Sequence, residues 1–144
     1  MTAHSILEVT LFVRDVDVSA AFYRALGVGL FSVDEPSHPH HFDGAVGNTI
    51  LQLFPSLGAA GTRLQLGFRV TNIADVTVRL DELGAQYALP GPMRLRTRDP
   101  DGNQVHLSQV RDDNRNQEES GHGRVHSRGT PAVDRIMQTR SRPQ

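Results

Sequence analysis

A chain of 144 residues can build one ordinary domain with a real core, and not two. Its net charge of −1 leaves no electrostatic footprint for nucleic acid or a membrane surface, and the absence of cysteine excludes disulfides, thiolate metal sites and thiol nucleophiles. Hydrophobic residues make up 38% and aromatics 6%, low for a chain folded throughout, so part of it is expected to be unfolded.

From the N-terminus, Met1-Thr2-Ala3-His4-Ser5 shows neither a basic start nor a long apolar run. No signal peptide or membrane span is expected, and a cytoplasmic location is the default. An alternating stretch from Glu8 predicts a strand leading into Asp15, a residue suited to a turn or to capping a helix. In the helix that follows, Val18, Phe22 and Leu26 form an i, i+4, i+8 stripe, and Gly27 stops it in a left-handed cap. Short alternating stretches over 30–33, 41–46 and 49–54 predict three more strands. The pattern then repeats at an offset of 57 residues, Glu8 onto Gln65, without a gap as far as Leu83-Gly84. Asn72 takes the capping position, Val76, Leu80 and Leu83 form the stripe, and strands are predicted over 86–89, 93–98 and 104–109. The module is βαβββ, present twice: about residues 6–55 and 63–110 of a domain spanning 1–110. Beyond it, residues 111–144 carry seven arginines against five acids and no apolar period, which predicts a disordered polar tail.

The run Ala21-Phe22-Tyr23-Arg24-Ala25-Leu26-Gly27, together with Arg98-Asp99-Pro100-Asp101-Gly102-Asn103-Gln104-Val105-His106-Leu107, resembles the vicinal oxygen chelate superfamily. That group includes glyoxalase I, fosfomycin- and bleomycin-resistance proteins and extradiol dioxygenases. The resemblance covers roughly residues 6–109. It implies an α+β fold in which two βαβββ modules form a curved mixed sheet, a cup, with the helices outside. It also implies a homodimer, because chains of this length usually complete the cup with a second copy.

Strand alternation separates the two faces. Val9, Leu11, Val13, Leu51, Leu53, Leu66, Phe68, Val70, Val105 and Leu107 are expected to pack inward. Glu8, Thr10, Phe12, Ile50, Gln52, Phe54, Gln65, Gly67, Arg69, Gln104, His106 and Ser108 then face the cup. Among these, Glu8, Gln52, Gln65 and His106 stand where metal-dependent members of the superfamily place ligands, so the resemblance implies a divalent ion such as Zn²⁺, Ni²⁺, Fe²⁺ or Mn²⁺. Family members commonly have His where Glu8 stands and Glu where His106 stands, so carboxylate and imidazole are exchanged. The other two positions hold glutamine, a weak ligand, and the set does not match the two-His-one-carboxylate face of the oxygenases. The alternative is that Glu8 pairs with an arginine and His106 hydrogen-bonds a glutamine.

Arg94, Arg96 and Arg98 share one face of their strand, and the family register places Arg96 in the pocket with Arg69. Guanidinium groups in a concave site suit bidentate binding of carboxylate or phosphate. Ser37-His38-Pro39-His40-His41 is expected to be a solvated loop, with His40 or His41 able to reach the cup mouth. Two functions follow. One is a glyoxalase-like lyase or isomerase with the metal as Lewis acid, Glu8 as base, and Arg69 and Arg96 holding an anionic group. The other is a metal-free small-molecule or antibiotic-binding protein of the bleomycin-resistance kind, stacking its ligand on Phe12, Phe54 and Phe42.

Overall fold

The computed structural model describes residues 3–58 and 63–111. Most of the expected tail, 112–144, lies outside the described residues.

Each module opens with a strand whose alternate side chains are apolar: β1 (Glu8–Val13) and β5 (Gln65–Val70). β1 runs into α1 (Val16–Ala25), where the Asp15 carboxylate accepts the backbone N–H groups of Asp17 and Val18. β5 runs into α2 (Ile73–Glu82), where the Asn72 side chain accepts the N–H of Ala74. These caps satisfy donors that a helix cannot satisfy itself. Both helices end as the Leu-Gly pairs predict. Gly27 (φ +100°) and Gly84 (φ +65°) take the left-handed conformation, and the next N–H, of Val28 or Ala85, bonds back to Tyr23 or Leu80.

The expected stripes hold only in part. Val18 is 51% exposed and Leu83 is 47% exposed. The buried face of α1 is centred instead on Val16, Ser19, Ala20 and Tyr23, and that of α2 on Ile73, Val76 and Leu80. Tyr23 explains the rotation of α1: its ring meets Phe22 edge-on and lies 6.2 Å from the Phe68 ring of the other module, so Val18 turns toward water.

After α1 come β2 (Gly29–Val33), β3 (His41–Val46) and β4 (Thr49–Pro55); after α2 come β6 (Tyr87–Gly91), β7 (Arg94–Arg98) and β8 (Gln104–Gln109). β3 and β8 fall on their predicted bounds, and the others differ by a residue or two at their ends. The result is two four-stranded sheets, ordered β1-β4-β3-β2 and β5-β8-β7-β6. The first and last strand of each module pair in parallel, and the remaining pairs are antiparallel. Leu11, Val13, Leu30, Phe42, Leu51 and Leu53 of one sheet join Leu95, Val105 and Leu107 of the other in one core with both helices. On that side Gly44 passes so close to the Gly29 carbonyl that a Cβ would collide with it.

The Asp99–Asn103 turn fastens the modules together. Asp99 Oδ1 accepts the backbone N–H groups of Asp101 and Asn103, and its Oδ2 accepts the Asn103 amide and, at 2.7 Å, the Tyr23 hydroxyl. Burial, with the Asp99 carboxylate beside it, holds the Tyr23 hydroxyl far above its ordinary pKa. Arg14 grips the same turn, donating to Asp101 Oδ1 and to the Pro100 carbonyl, while Arg79 Nε donates to the Ala25 carbonyl at 2.7 Å. No helix among the described residues is long and apolar enough to cross a membrane.

Candidate functional site

The faces of the two sheets turned away from the core carry the residues that strand alternation assigned to the cup. In module one, the register places Thr10 beside Gln52, Gln52 beside Asp43, and Asp43 beside Phe31, one polar-to-aromatic row across all four strands. The Thr10 hydroxyl lies 2.9 Å from Gln52 Oε1 and 3.5 Å from Glu8 Oε1, so it joins the two expected ligand positions of this module. Phe12 is 54% exposed and Phe31 73% exposed on this face. The Phe12 and Phe54 rings lie 6.5 Å apart, and His41 stacks on Phe54 at 4.1 Å with its plane tilted by 20°.

Three expectations need correction here. Phe42 does not face the cup: it is buried in the core, with the Arg24 guanidinium 5.1 Å from its ring. Glu8, the one acid among the residues that alternation assigned to the cup and for that reason the expected base, is joined on its face by a second acid, Asp43. The Ser37–His41 segment is not solvated throughout, because His41 opens β3 and is buried. The signal for His41 and Asp43 is present in β3, where His41, Asp43 and Ala45 alternate with apolar Phe42 and Gly44.

In module two, Leu95 and Thr97 are buried, so Arg94, Arg96 and Arg98 stand together on the opposite, exposed face. Arg96 pairs in register with His106. Both line a groove of about 770 Å³ with Arg98, Gln104 and Tyr87, which continues past the end of β7 to Phe22, Thr97 and Asp99 on the other side of the sheet; the volume is in the range of small-molecule sites. Arg98 also donates to the Gly102 carbonyl at 3.1 Å. Arg69 is exposed on β5, on the same side of the sheet as Gln65. The Gln65 amide nitrogen lies 3.4 Å from His106 Nδ1. Donation from that amide leaves the His106 proton on Nε2 when the ring is neutral.

The four expected metal ligands therefore fall into two pairs. Glu8 and Gln52 share the Thr10 hydroxyl; Gln65 and His106 bond each other; no hydrogen bond joins one pair to the other among the described residues. No group of three or more His, Asp or Glu side chains converges among the described residues. Within one chain the donors, one carboxylate and one imidazole on separate sheets plus two amide oxygens, do not fit a divalent ion. The faces also differ in character. Module one presents two carboxylates and exposed phenylalanines, whereas module two presents a row of arginines.

No family model and no curated protein matches the sequence. Solved structures do match. A lactoylglutathione lyase from Agrobacterium tumefaciens superposes with a TM-score of 0.54 at 20% identity, covering 76% of this chain and 96% of that one. TnmS3, an antibiotic-binding protein from Streptomyces sp. CB03234, superposes with a TM-score of 0.60 at 23% identity, covering 77% and 99%. Oxidase ChaP-H2 superposes with a TM-score of 0.61 at 19% identity, covering 76% and 96%. The matched folds are those the two repeated modules predict, and the chain has the vicinal oxygen chelate fold.

Proposed function

We propose that this chain binds a small aromatic ligand carrying an anionic group, in a cup made from the module-one face of one copy and the module-two face of a second. The observation that carries this reading is the contrast between the faces: exposed Phe12 and Phe31 beside Phe54 on one sheet, and Arg96 above a groove of about 770 Å³ on the other. Aromatic side chains supply flat apolar contact area, and guanidinium groups supply paired donors for a carboxylate or phosphate. A homodimer supplies the geometry, bringing Glu8 and Gln52 of one chain toward Gln65 and His106 of the other. Antibiotic binding by TnmS3 is a precedent on this fold for ligand capture.

The test is calorimetric titration with 2-naphthoate, a flat aromatic carboxylate. The wild type is expected to bind it, and Phe12→Ala and Arg96→Ala are each expected to weaken binding by about tenfold or more. Both residues are exposed, so neither change should disturb the fold. Unchanged affinity in both variants would overturn the reading.

A metal-dependent lyase or isomerase is the second reading, favoured by the placement of Glu8 on β1 and His106 on β8, one strong donor from each module. Within a single chain these donors do not converge on one point. Elemental analysis after dialysis separates the two readings. The binding reading predicts metal well below one ion per chain and no change in content on His106→Ala. One ion per chain, lost in His106→Ala, would favour the lyase.

A further inference from the structure

The module-two face carries more positive charge than one anionic group needs. Arg96 pairs in register with His106, and two residues along the same strands, about 6.7 Å away on the same face, Arg98 pairs with Gln104. Arg98 and Gln104 form a wall shared by two hollows. One is the groove of Arg96 and His106; the other is a cavity of about 670 Å³ that Arg63, Gln65 and Gly102 also line. The segment carrying Arg63 is fixed in place: the Leu64 N–H donates to Asn103 Oδ1 at 2.9 Å, and the Leu64 carbonyl accepts the Gln104 N–H at 2.9 Å. Arg63, Gln104 and Arg98 therefore stand at one end of three adjacent strands, β5, β8 and β7, and all three are exposed.

The lining specifies what the cavity takes. Neither guanidinium meets an acid, since the ion pairs among the described residues join Arg14 to Asp101 and histidines to acids of module one. Arg98 donates only to the Gly102 carbonyl, which leaves most of its five N–H groups free. The one carboxylate on the wall, Asp101, is already engaged: its Oδ1 accepts the Arg14 backbone N–H and Nε, and its side chain is 7% exposed. Two guanidinium groups and a glutamine amide without a counter-charge suit a carboxylate or phosphate, and repel a cation.

We propose that this cavity is a second anion subsite and that the ligand is an aromatic dianion, one anionic group held by Arg96 and His106 and the other by Arg63 and Arg98. The proposal rests on the reading that the module-two face receives the anionic end of a ligand, and it adds the charge and the length of that ligand. Arg98, on the shared wall, sets the boundary between the two subsites. Arg63 supplies the charge that the groove alone lacks.

The test titrates the full-length protein at neutral pH with 2-naphthoate and with 2,6-naphthalenedicarboxylate, which share a ring and differ in the second carboxylate. The dicarboxylate is expected to bind about tenfold tighter or more, and to shift the backbone amide resonances of Leu64 and Gly102, which 2-naphthoate leaves in place. Arg63→Gln, at an exposed position outside the groove, is expected to erase that preference while its affinity for 2-naphthoate and its circular-dichroism spectrum stay unchanged. Equal affinities of the wild type for the two probes overturn the proposal, as does an undiminished preference in a folded Arg63→Gln. If the variant does not fold, the wild-type preference and the location of the shifts decide the matter alone. A protein that binds 2-naphthoate without preferring the dicarboxylate keeps the cup and loses this subsite; one that binds neither probe loses both.

Discussion

Asp99 carries more of the structure than its place in a turn suggests. Its two carboxylate oxygens satisfy two backbone N–H groups, the Asn103 amide and the Tyr23 hydroxyl, and the last of these crosses between modules. Tyr23→Phe removes one buried hydrogen bond and leaves the other three, so it should cost about 1–2 kcal/mol. In a domain of this size that lowers the thermal midpoint by roughly 4–16 °C. Asp99→Ala leaves several buried donors bare and should cost considerably more, about 3–5 kcal/mol. Thermal melts of both variants check the order, and a Tyr23→Phe melt as low as that of Asp99→Ala would contradict it. The local role of the Asp99–Asn103 turn was legible in the sequence, because Asp, Pro, Gly and Asn each favour turns for known reasons. Its grip on Tyr23 and Arg14 was not, because that depends on residues far away in the chain.

Among the elements, the segment between β2 and β3 is held by a histidine. His40 Nδ1 lies 2.7 Å from Asp34 Oδ1, and its Nε2 lies 3.4 Å from Asp17 Oδ1 on α1, so one ring clips the segment to the helix. The hydrogen bond to Asp34, then that to Asp17, raises the pKa of His40 above 6.5, and the same contact lowers Asp34 below 3.8. The contribution of His40 is complete below its unfolded pKa and is lost as pH rises through the raised folded value. That of Asp34 is present above its unfolded pKa and is lost as pH falls through the lowered folded value. The clip is therefore complete between the unfolded values, 3.8 and 6.5. A histidine NMR titration should place the His40 midpoint above 6.5 and move it back toward that value in Asp34→Asn; an unmoved midpoint would contradict the clip. At this scale the sequence was a good guide wherever chemistry is local. Asp15, Asn72 and the two Leu-Gly stops mark their helices correctly, and alternation separates the faces of β1, β4, β5, β7 and β8. It misled where two apolar lines compete on one helix. Val18 lost its place in the core to Ala20 and Tyr23, because only the other module decides which line is covered.

For the whole molecule, the repeat announced two modules and the architecture of each. With the family register it grouped Glu8 with Gln52 and Gln65 with His106, on facing copies, but it did not reveal the Thr10 hydroxyl that joins the first pair, since such a bridge depends on side-chain packing. The result is two unlike faces, one aromatic and acidic, the other rich in arginine, and the proposed dimer joins them across a pair of chains. This claim has a direct test in mixing two damaged proteins. Phe12→Ala spoils the module-one face and Arg96→Ala the module-two face, so each homodimer has only impaired cups. In a mixed dimer with two-fold symmetry, one cup collects both substitutions and the other collects neither. Equal amounts of the two variants, allowed to exchange subunits, should restore tight 2-naphthoate binding to about a quarter of the cups, because half of the dimers are mixed and each has one intact cup. If the mixture binds no better than the separate variants while exchange is complete, the cup does not lie between chains and the account is wrong.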